Sequence, residues 1–221
     1  DMKLARGLDL SSAMQDRLYL NDSRIQDMAN AIRQIASQTE PVGRVLDGWL
    51  TKDNLNIQKV SIPIGVIAII YESRPNVTSD TAALCFKSGN VCVLKGGKEA
   101  ENSNRAIAKI IQDVLEKNNL PKEIVSLLPD SSREGVAKLI VEDKYVDLIV
   151  PRGGEALIKF ITQNSSIPVI KHDKGVCHTF IDKDANATKS INIVINAKCQ
   201  RPSACNSLET LLVHEEIASY I

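Results

Sequence analysis

The stretch IGVIAIIY, residues 64–71, constrains the fold more than any other part of the sequence. It is apolar almost throughout and rich in isoleucine, and it follows directly after Pro63. A strand that is apolar on both faces has to be covered on both faces, as in the parallel sheets of α/β proteins. This stretch therefore predicts a central buried strand with helices on either side of it.

Strand-like and helix-like segments alternate along the chain around this central strand. The predicted strands are 55–60, 64–70, 91–94, 123–129, 146–150 and 167–171, and the predicted helices are 21–38, 76–89, 104–119, 131–143, 155–165 and about 187–198. Asn21 or Asp22 is suited to cap the first of these helices, and Gly89 to stop the second. In the 104–119 helix we expect Ile107, Ile110, Ile111 and Val114 to form the inner face. Helices that return between short buried strands predict an α/β fold with a doubly wound, mainly parallel sheet.

The overall charge excludes some classes of protein. Among 221 residues, 27 Lys plus Arg balance 27 Asp plus Glu, for a net charge of +0. This balance argues against nucleic-acid binding, which normally needs a basic excess, and against a polybasic membrane-surface protein. No apolar run approaches the roughly 20 residues that span a bilayer. We therefore predict a cytoplasmic protein that binds neither nucleic acid nor membrane.

The five cysteines are odd in number and lack paired spacing, which is typical of a reducing compartment. Cys85 and Cys92 are predicted to be core residues, and Cys199, near a helix end, a small packed residue. Cys205 lies in a polar loop close to Arg201, and a nearby cation can lower the pKa of a thiol, so the residues alone leave Cys205 as either a candidate nucleophile or another small packed residue. A shared metal site among His172, Cys177, His178, Cys199 and Cys205 is disfavoured because no C-x₂₋₄-C pairing is present, and no metal is predicted.

Three polar segments follow predicted strands, at the sheet edge where α/β proteins bind ligands. They are YESRPNV, LKGGKEA and VPRGGEA, and each combines cations or amides with small or rigid residues suited to a phosphate or an oxyanion. A single Gly-Gly is more often a plain tight turn, and the G-x-G-x-x-G fingerprint is absent. Asn76, at the start of a predicted helix, is either an N-cap or a side-chain donor to an oxyanion.

Longer segments carry a resemblance to a known family. PIGVIAIIYESRPNVTSDTAALCFKSGN, VLKGGKEAENSNRAI, VDLIVPRGGEALI, IPVIKHDKGVCHTFID and NAKCQRPSACNSLETLLVH together resemble the gamma-glutamyl phosphate reductase family of the aldehyde dehydrogenase superfamily. The resemblance covers essentially the whole chain and implies about the first half of such an enzyme. It implies an aldehyde-dehydrogenase-like fold, with an NADPH-binding α/β domain at 1–198 and the beginning of an α/β catalytic domain at 199–221.

The resemblance implies reduction of L-glutamyl 5-phosphate to L-glutamate 5-semialdehyde and phosphate, in proline biosynthesis. By this resemblance Cys205 forms a thioester, and the Asn76 side chain and the Cys205 backbone amide bind the oxyanion. Hydrolytic aldehyde dehydrogenases activate water with a glutamate in an ELGGK-like segment. The segment of this sequence that resembles it is KHDKGVCH, which has no glutamate. By this resemblance the absence of the glutamate favours an acyl-phosphate reductase.

The resemblance also implies a cofactor site for NADPH/NADP. It places Lys95, Gly97 and Glu99 near the adenosine ribose and its phosphate, and Arg152, Gly153 and Gly154 near the pyrophosphate. Ser73 and Arg74 are further expected cofactor-binding residues, and Arg201 and Asn206 are expected near the substrate. The chain departs from the family pattern at Lys95, Lys98 and Cys199, where arginine, serine and threonine are common. A lysine pair still suits the 2′-phosphate of NADPH, although with a geometry different from that of arginine.

The resemblance implies a homo-oligomer when full length, and glutamate 5-kinase as a partner. Two alternatives stay open at this point. Besides the reductase itself, the chain could be the reductase part of a bifunctional kinase-reductase, or a nucleotide-binding fragment that is inactive on its own.

Overall fold

The computed structural model describes residues 1, 2, 10, 12–72, 74–171, 175–200, 202, 204 and 206–220. The chain divides into two compact units, Asp1–Lys171 and His172–Ile221. The domain boundary predicted between residues 198 and 199 stays a prediction.

The first unit contains helices and strands in alternation. Its helices are α1 (Ser12–Leu18), α2 (Asp22–Ser37), α3 (Pro75–Lys87), α4 (Glu101–Lys117), α5 (Arg133–Leu139) and α6 (Glu155–Asn164), and its strands are β1 (Val45–Leu50), β2 (Asn56–Val60), β3 (Val66–Tyr71), β4 (Val91–Lys95), β5 (Val125–Leu127) and β6 (Leu148–Arg152). Strands β1 and β2 pair with each other as an antiparallel hairpin.

The central sheet has the strand order β5-β4-β3-β6, and every neighbouring pair is parallel. The chain leaves β3 toward β4 and β5 on one side and then crosses back to place β6 on the other. Ile67 of β3 lies opposite Cys92 of β4 and Leu148 of β6. This is the predicted doubly wound arrangement, and its order reverses beside β3, where such sheets bind ligands.

Strand β3 is covered on both faces, as its apolar sequence predicts. Ile67, Ile69 and Tyr71 pack with α3 and α4, in a cluster that includes Cys85 and Cys92. Ala68 and Ile70 point to the opposite face and pack with residues of α5 and α6. The predicted core positions of Cys85 and Cys92 are confirmed, because both side chains are buried.

The ends of two helices follow the predicted signals. The Asn21 side chain caps α2 by accepting a hydrogen bond from the Arg24 backbone N–H at 2.9 Å. Helix α3 ends at Lys87, and Gly89 follows with a φ of 70°. Glycine adopts this left-handed conformation without the penalty that a Cβ imposes.

The strand predicted at 167–171 is wrong. Only Val169 forms a bridge, which is parallel to Ile149 and isolated. The Ile149 backbone N–H donates to the Pro168 carbonyl and the Ile170 N–H to the Ile149 carbonyl, both at 2.9 Å. Pro168 has no N–H of its own, so this extended segment does not continue as a full sheet strand.

The predicted inner face of the 104–119 helix is also partly wrong. Ile110 is 65% exposed and Val114 is 53% exposed, whereas Ala108 and Leu115 are buried. Ile110 and Val114 line a groove of about 940 Å³ between α4, α3 and α2. The apolar stripe of α4 is wider than the face that reaches the sheet, so periodicity alone could not assign its edge.

The second unit is a βαβ unit. It comprises β7 (Cys177–Ile181), α7 (Ala187–Cys199) and β8 (Leu208–Val213), and β7 and β8 pair in parallel. The predicted packing of Cys199 is wrong, because its side chain is exposed at the last position of α7, a helix with no buried residues among those described. Within the described ranges, no helix combines the length and apolar character needed to cross a membrane.

Candidate active site

The candidate site of the first unit lies where β3, β4 and β6 end side by side at one edge of the sheet. Arg74 precedes α3 and Asn76 lies in its first turn, Lys95 ends β4, and Gly97 and Glu99 follow it. Arg152 ends β6, and Gly153 and Gly154 lead into α6. Parallel pairing therefore brings the three predicted strand-end segments to neighbouring positions.

Asn76 is not the N-cap of α3, so that alternative is wrong. Arg74 occupies the cap position, Pro75 takes the first helical position, and Asn76 follows it. The exposed Asn76 side chain instead donates a hydrogen bond through Nδ2 to Asp80 Oδ2 at 3.1 Å. A side-chain amide has two N–H donors, so this contact leaves one donor of Asn76 for another acceptor.

Asp80 is half-buried beneath Asn76. Burial raises the pKa of the Asp80 carboxyl above its ordinary value, although hydrogen bonds from Asn76 and Ser79 oppose the rise. The Ser79 hydroxyl lies 3.4 Å from Asp80 Oδ1. Asp80 therefore orients the Asn76 amide from one turn further along the helix, a role that was not predicted from the sequence.

The end of β4 carries a half-buried lysine, Lys95. Burial lowers the pKa of the half-buried Lys95 ammonium, while the Glu99 and Glu72 carboxylates oppose that shift. A lysine ammonium at the end of this strand is suited to binding an anion.

A cavity of about 270 Å³ opens beside this turn. Its lining residues are Leu94, Lys95, Gly96, Gly97, Glu101, Asn104, Arg105, Leu127, Leu128, Pro129 and Ser131. A Cβ at Gly97 would lie 2.0 Å from Glu99 Oε1, so the absence of a side chain lets the Glu99 carboxylate fold over the turn. Lys95 and Gly97 of this lining were predicted from the sequence, whereas Gly96, Asn104 and Arg105 were not.

The start of α6 binds a carboxylate of the same unit. The Gly154 backbone N–H donates to Glu72 Oε2 at 3.0 Å, which joins the end of β3 to the start of α6. A Cβ at Gly153 would lie 2.8 Å from the Glu72 carboxyl carbon. The backbone at this turn therefore offers a donor suited to an anion, and the Glu72 carboxylate occupies that position in this structure. Glu72 was missed, although its place directly after a buried strand was a usable signal.

Three buried polar residues lie under the Lys95–Gly97 turn. Tyr71 ends β3, Thr78 lies in α3 and Asn104 in α4, and their side chains form one hydrogen-bonded chain. Burial raises the pKa of Tyr71 to about 12, so its hydroxyl stays protonated. The sequence did not predict this network, because polar residues in a helix, such as Thr78 and Asn104, are usually exposed.

In the second unit, the predicted nucleophile falls on the connection between α7 and β8. Cys205 and Arg201 lie outside the described residues, as does Ser73 of the first unit. Asn206 is exposed just before β8. Lys198 Nζ donates to the Leu208 carbonyl at 2.8 Å and so joins the two ends of the connection.

These features define a class of protein: a doubly wound parallel sheet with polar turns at its switch point, followed by a βαβ unit with a cysteine in its crossover. The chain belongs to the aldehyde dehydrogenase family, whose model matches residues 10–221. Members of this family use nicotinamide cofactors.

Particular relatives share more of the sequence. The chain is 76% identical over 221 residues to the gamma-glutamyl phosphate reductase of Aliarcobacter butzleri (strain RM4018), covering 100% of this chain and 54% of that protein. The crystal structure of gamma-glutamyl phosphate reductase from Thermotoga maritima superposes with a TM-score of 0.91 at 43% identity, over 98% of this chain and 52% of that one. The enzyme of the same name from Saccharomyces cerevisiae gives a TM-score of 0.69 at 35% identity, over 99% and 55%.

The chain thus spans about half the length of the relatives it matches. The predicted fold class and superfamily are confirmed. The roles of individual residues stay predictions.

Proposed function

We propose that the protein reduces L-glutamyl 5-phosphate to L-glutamate 5-semialdehyde and phosphate with NADPH, as a step of proline biosynthesis. The observation that carries this proposal is the 76% identity, over all 221 residues, to a protein named gamma-glutamyl phosphate reductase. The arrangement of polar turns at one sheet edge supports it, because an acyl phosphate and a dinucleotide both need anion-binding groups.

In the proposed reaction the Cys205 thiolate attacks the acyl carbon of the substrate. A C–S bond forms, the C–O bond to the phosphate breaks, and inorganic phosphate leaves with that electron pair. The enzyme is left acylated as a thioester on Cys205. The position of this residue on a crossover connection supports the role, since functional side chains are common on loops held by a rigid scaffold.

Asn76 is the proposed side-chain donor to the oxyanion that forms when the carbonyl carbon becomes tetrahedral. One N–H of its amide is held by Asp80, which leaves the second N–H for the substrate oxygen. Preorganised donors of this kind stabilise charge as it develops, without reorganisation during the reaction. The proposed second donor is the backbone N–H of Cys205.

The residues at the sheet edge fit a dinucleotide cofactor. Gly96 and Gly97 line the cavity, and an added Cβ would meet Asn104 at Gly96 and Glu99 at Gly97. Lys95 offers a cation, and the Gly154 N–H already donates to a carboxylate. NADPH, when bound, supplies the hydride that reduces the thioester carbon. Collapse of the resulting thiohemiacetal then releases the aldehyde and restores the Cys205 thiolate. We infer that Lys95 and Lys98 favour the 2′-phosphate of NADPH, and that Arg152, Gly153 and Gly154 meet the pyrophosphate.

The remaining expectations belong to the same proposal. Arg74 and Ser73 would join the cofactor site, and Arg201 and Asn206 the substrate site. Residues 171–178 contain no glutamate to activate water, which suits an enzyme that must protect its thioester from hydrolysis. A homo-oligomer, a supplying glutamate 5-kinase and a cytoplasmic location complete the proposal.

The proposal is tested by assaying the reverse reaction in the full-length protein, as NADP⁺- and phosphate-dependent oxidation of freshly prepared glutamate 5-semialdehyde. Cys205→Ser is expected to lower kcat at least about a thousandfold, because the covalent step loses its nucleophile. The matched control is Cys199→Ser, six residues earlier in the chain, which is expected to keep its activity.

Each outcome has a distinct meaning. Full activity in Cys205→Ser would contradict the covalent mechanism. An inactive unmodified protein would contradict the proposed reaction itself. Activity that requires phosphate but accepts NADH equally would leave the reaction in place and contradict the cofactor assignment.

A further inference from the structure

The hydrogen bonds between Tyr71, Thr78 and Asn104, beneath the Lys95–Gly97 turn, run in one fixed direction. Thr78 Oγ1 donates to Asn104 Oδ1 at 2.9 Å, since a carbonyl oxygen only accepts. Thr78 has a single hydroxyl proton, so the 2.7 Å contact between Tyr71 and Thr78 has Tyr71 as its donor. The order of donation is therefore Tyr71, Thr78, Asn104.

This direction determines which end of the Asn104 amide faces the turn. Because Oδ1 is held by Thr78, the Nδ2 end points toward Gly96. A Cβ built on Gly96 would lie 2.1 Å from Asn104 Nδ2 and 3.3 Å from Tyr71 Cε2. The Gly96 backbone thus rests directly on the hydrogen-bonded chain, with no space for a side chain between them.

All three side chains of this hydrogen-bonded network are buried. Thr78 is 0% exposed, Tyr71 1% and Asn104 3%. Its members come from β3, α3 and α4, so it joins three elements at the point where the β4 turn leaves the sheet. Asn104, Gly96 and Gly97 also line the 270 Å³ cavity, which places this chain in the wall of the candidate cofactor site.

We propose that Thr78 is a positioning residue for dinucleotide binding: it orients Asn104, and Asn104 holds the Gly96–Gly97 turn in the shape that meets the cofactor. The inference rests on the proposed function, because the cavity has to bind NADPH for the turn to matter. Buried polar groups that lose a partner carry the full cost of desolvation, so removing the Thr78 hydroxyl should release both Asn104 and Tyr71.

The test is NADPH binding by the full-length protein, measured by titration of NADPH fluorescence and by steady-state kinetics. Thr78→Val keeps the shape of the side chain and removes the hydroxyl, and it is expected to raise both the Kd and the KM for NADPH about tenfold. Because Thr78 touches neither substrate nor Cys205 in this scheme, kcat should change less than about twofold. Thr78→Ser restores the hydroxyl and should return the Kd to near the unmodified value.

The matched control is Thr81→Val, on the same helix. The Thr81 hydroxyl bonds only the Val77 carbonyl of its own helix among the contacts of the described residues, so its loss should leave the Kd unchanged. Should Thr78→Val fail to fold, Asn104→Ala provides the second variant, because it removes the support under Gly96 from α4 while leaving the Tyr71–Thr78 bond. Its Kd for NADPH should rise similarly.

The outcomes separate this inference from the proposed function. If a folded Thr78→Val or Asn104→Ala protein has a lower Tm but the same Kd for NADPH as the unmodified protein, the inference is overturned. The network would then only stabilise the fold. Failure of Thr78→Ser to restore binding would also overturn it. If the unmodified protein does not bind NADPH, the proposed cofactor site is wrong and the inference falls with it.

Discussion

At the scale of single residues, the site depends on side chains that orient other side chains. Asp80 holds the Asn76 amide at 3.1 Å, and Glu72 holds the Gly154 N–H at 3.0 Å. Neither carboxylate was predicted from the sequence. Each lies close to a residue that was predicted. Asp80 lies one helical turn from Asn76, and Glu72 lies across the β3–β6 pair from Gly154.

The raised pKa of Asp80 gives a pH-dependent stability. The pKa of Asp80 is higher in the folded than in the unfolded protein, so the folded protein binds the proton more tightly. As the pH rises from the unfolded pKa through the folded pKa, ionisation of Asp80 therefore lowers the free energy of unfolding. The Asp80→Asn variant has no such ionisation. Its free energy of unfolding, relative to that of the unmodified protein, is therefore expected to increase from about pH 3 to pH 7.

The measurement is urea unfolding of both proteins at several pH values in this range. A difference between the two proteins that does not change with pH would contradict the assignment. Loss of activity in Asp80→Ala but not in Asp80→Asn would support orientation of Asn76, since an asparagine oxygen still accepts a hydrogen bond.

Lys95 is expected to select NADPH over NADH. The Lys95→Gln variant removes the cation and should raise the Kd for NADPH about tenfold, while the Kd for NADH, which lacks the 2′-phosphate, should change by less than about twofold. Fluorescence titration with each cofactor measures both values. Lys109→Gln, on the exposed face of α4, is the control and should alter neither. Equal weakening of NADPH and NADH would contradict the assigned contact.

At the scale of elements, the turn after β4 is shaped by what lies beneath it. The Gly96→Ala variant would place a Cβ against Asn104 and Tyr71, both buried and hydrogen-bonded. Overpacking of this kind costs about 1–3 kcal/mol, so a corresponding drop in the free energy of unfolding is expected. Gly175→Ala, with nothing within 4 Å of the added Cβ, is the matched control and should change stability little. Equal stability of both variants would mean that the turn moves freely.

The central strand and its helices also show which elements local sequence patterns predict correctly. The apolar run of β3 and the alternation around it are local features, and they predicted the parallel sheet correctly. The predicted strand at 167–171 and the exposed Ile110 of α4 were misjudged, because both depend on which neighbour is present in the fold. The β1 strand contains Asp47 and Gly48, residues that strands disfavour, and it was not recognised from the sequence.

At the scale of the whole molecule, the β1–β2 hairpin carries a set of exposed apolar side chains. They are Val45 (57%), Leu46 (58%), Trp49 (52%), Leu50 (70%) and Val60 (41%). Among the described residues no third strand pairs with β1 or β2. An exposed apolar surface with free strand edges is typical of contact between subunits. This supports the proposed homo-oligomer.

The Trp49→Asp variant is expected to weaken assembly of the full-length protein, because it buries a charge in the proposed contact. Size-exclusion chromatography with light scattering measures the mass at a series of protein concentrations. Tyr145→Asp, which changes an aromatic side chain that is 62% exposed elsewhere in the first unit, is the control and should leave the mass unchanged. An unmodified protein that is monomeric at all concentrations would contradict the proposed oligomer.

The sequence by itself determined the α/β class, the central strand, several helix ends and the three polar segments, because each is encoded by residues close together in the chain. The tertiary structure alone decided which distant residues meet. Thr78 and Asn104 are 26 residues apart and Glu72 and Gly154 are 82 apart, yet each pair is hydrogen-bonded. Such contacts depend on strand order and crossover, and no local pattern contains that information. Burial then gives these polar contacts their effect, since a buried donor or acceptor has no water to replace a lost partner.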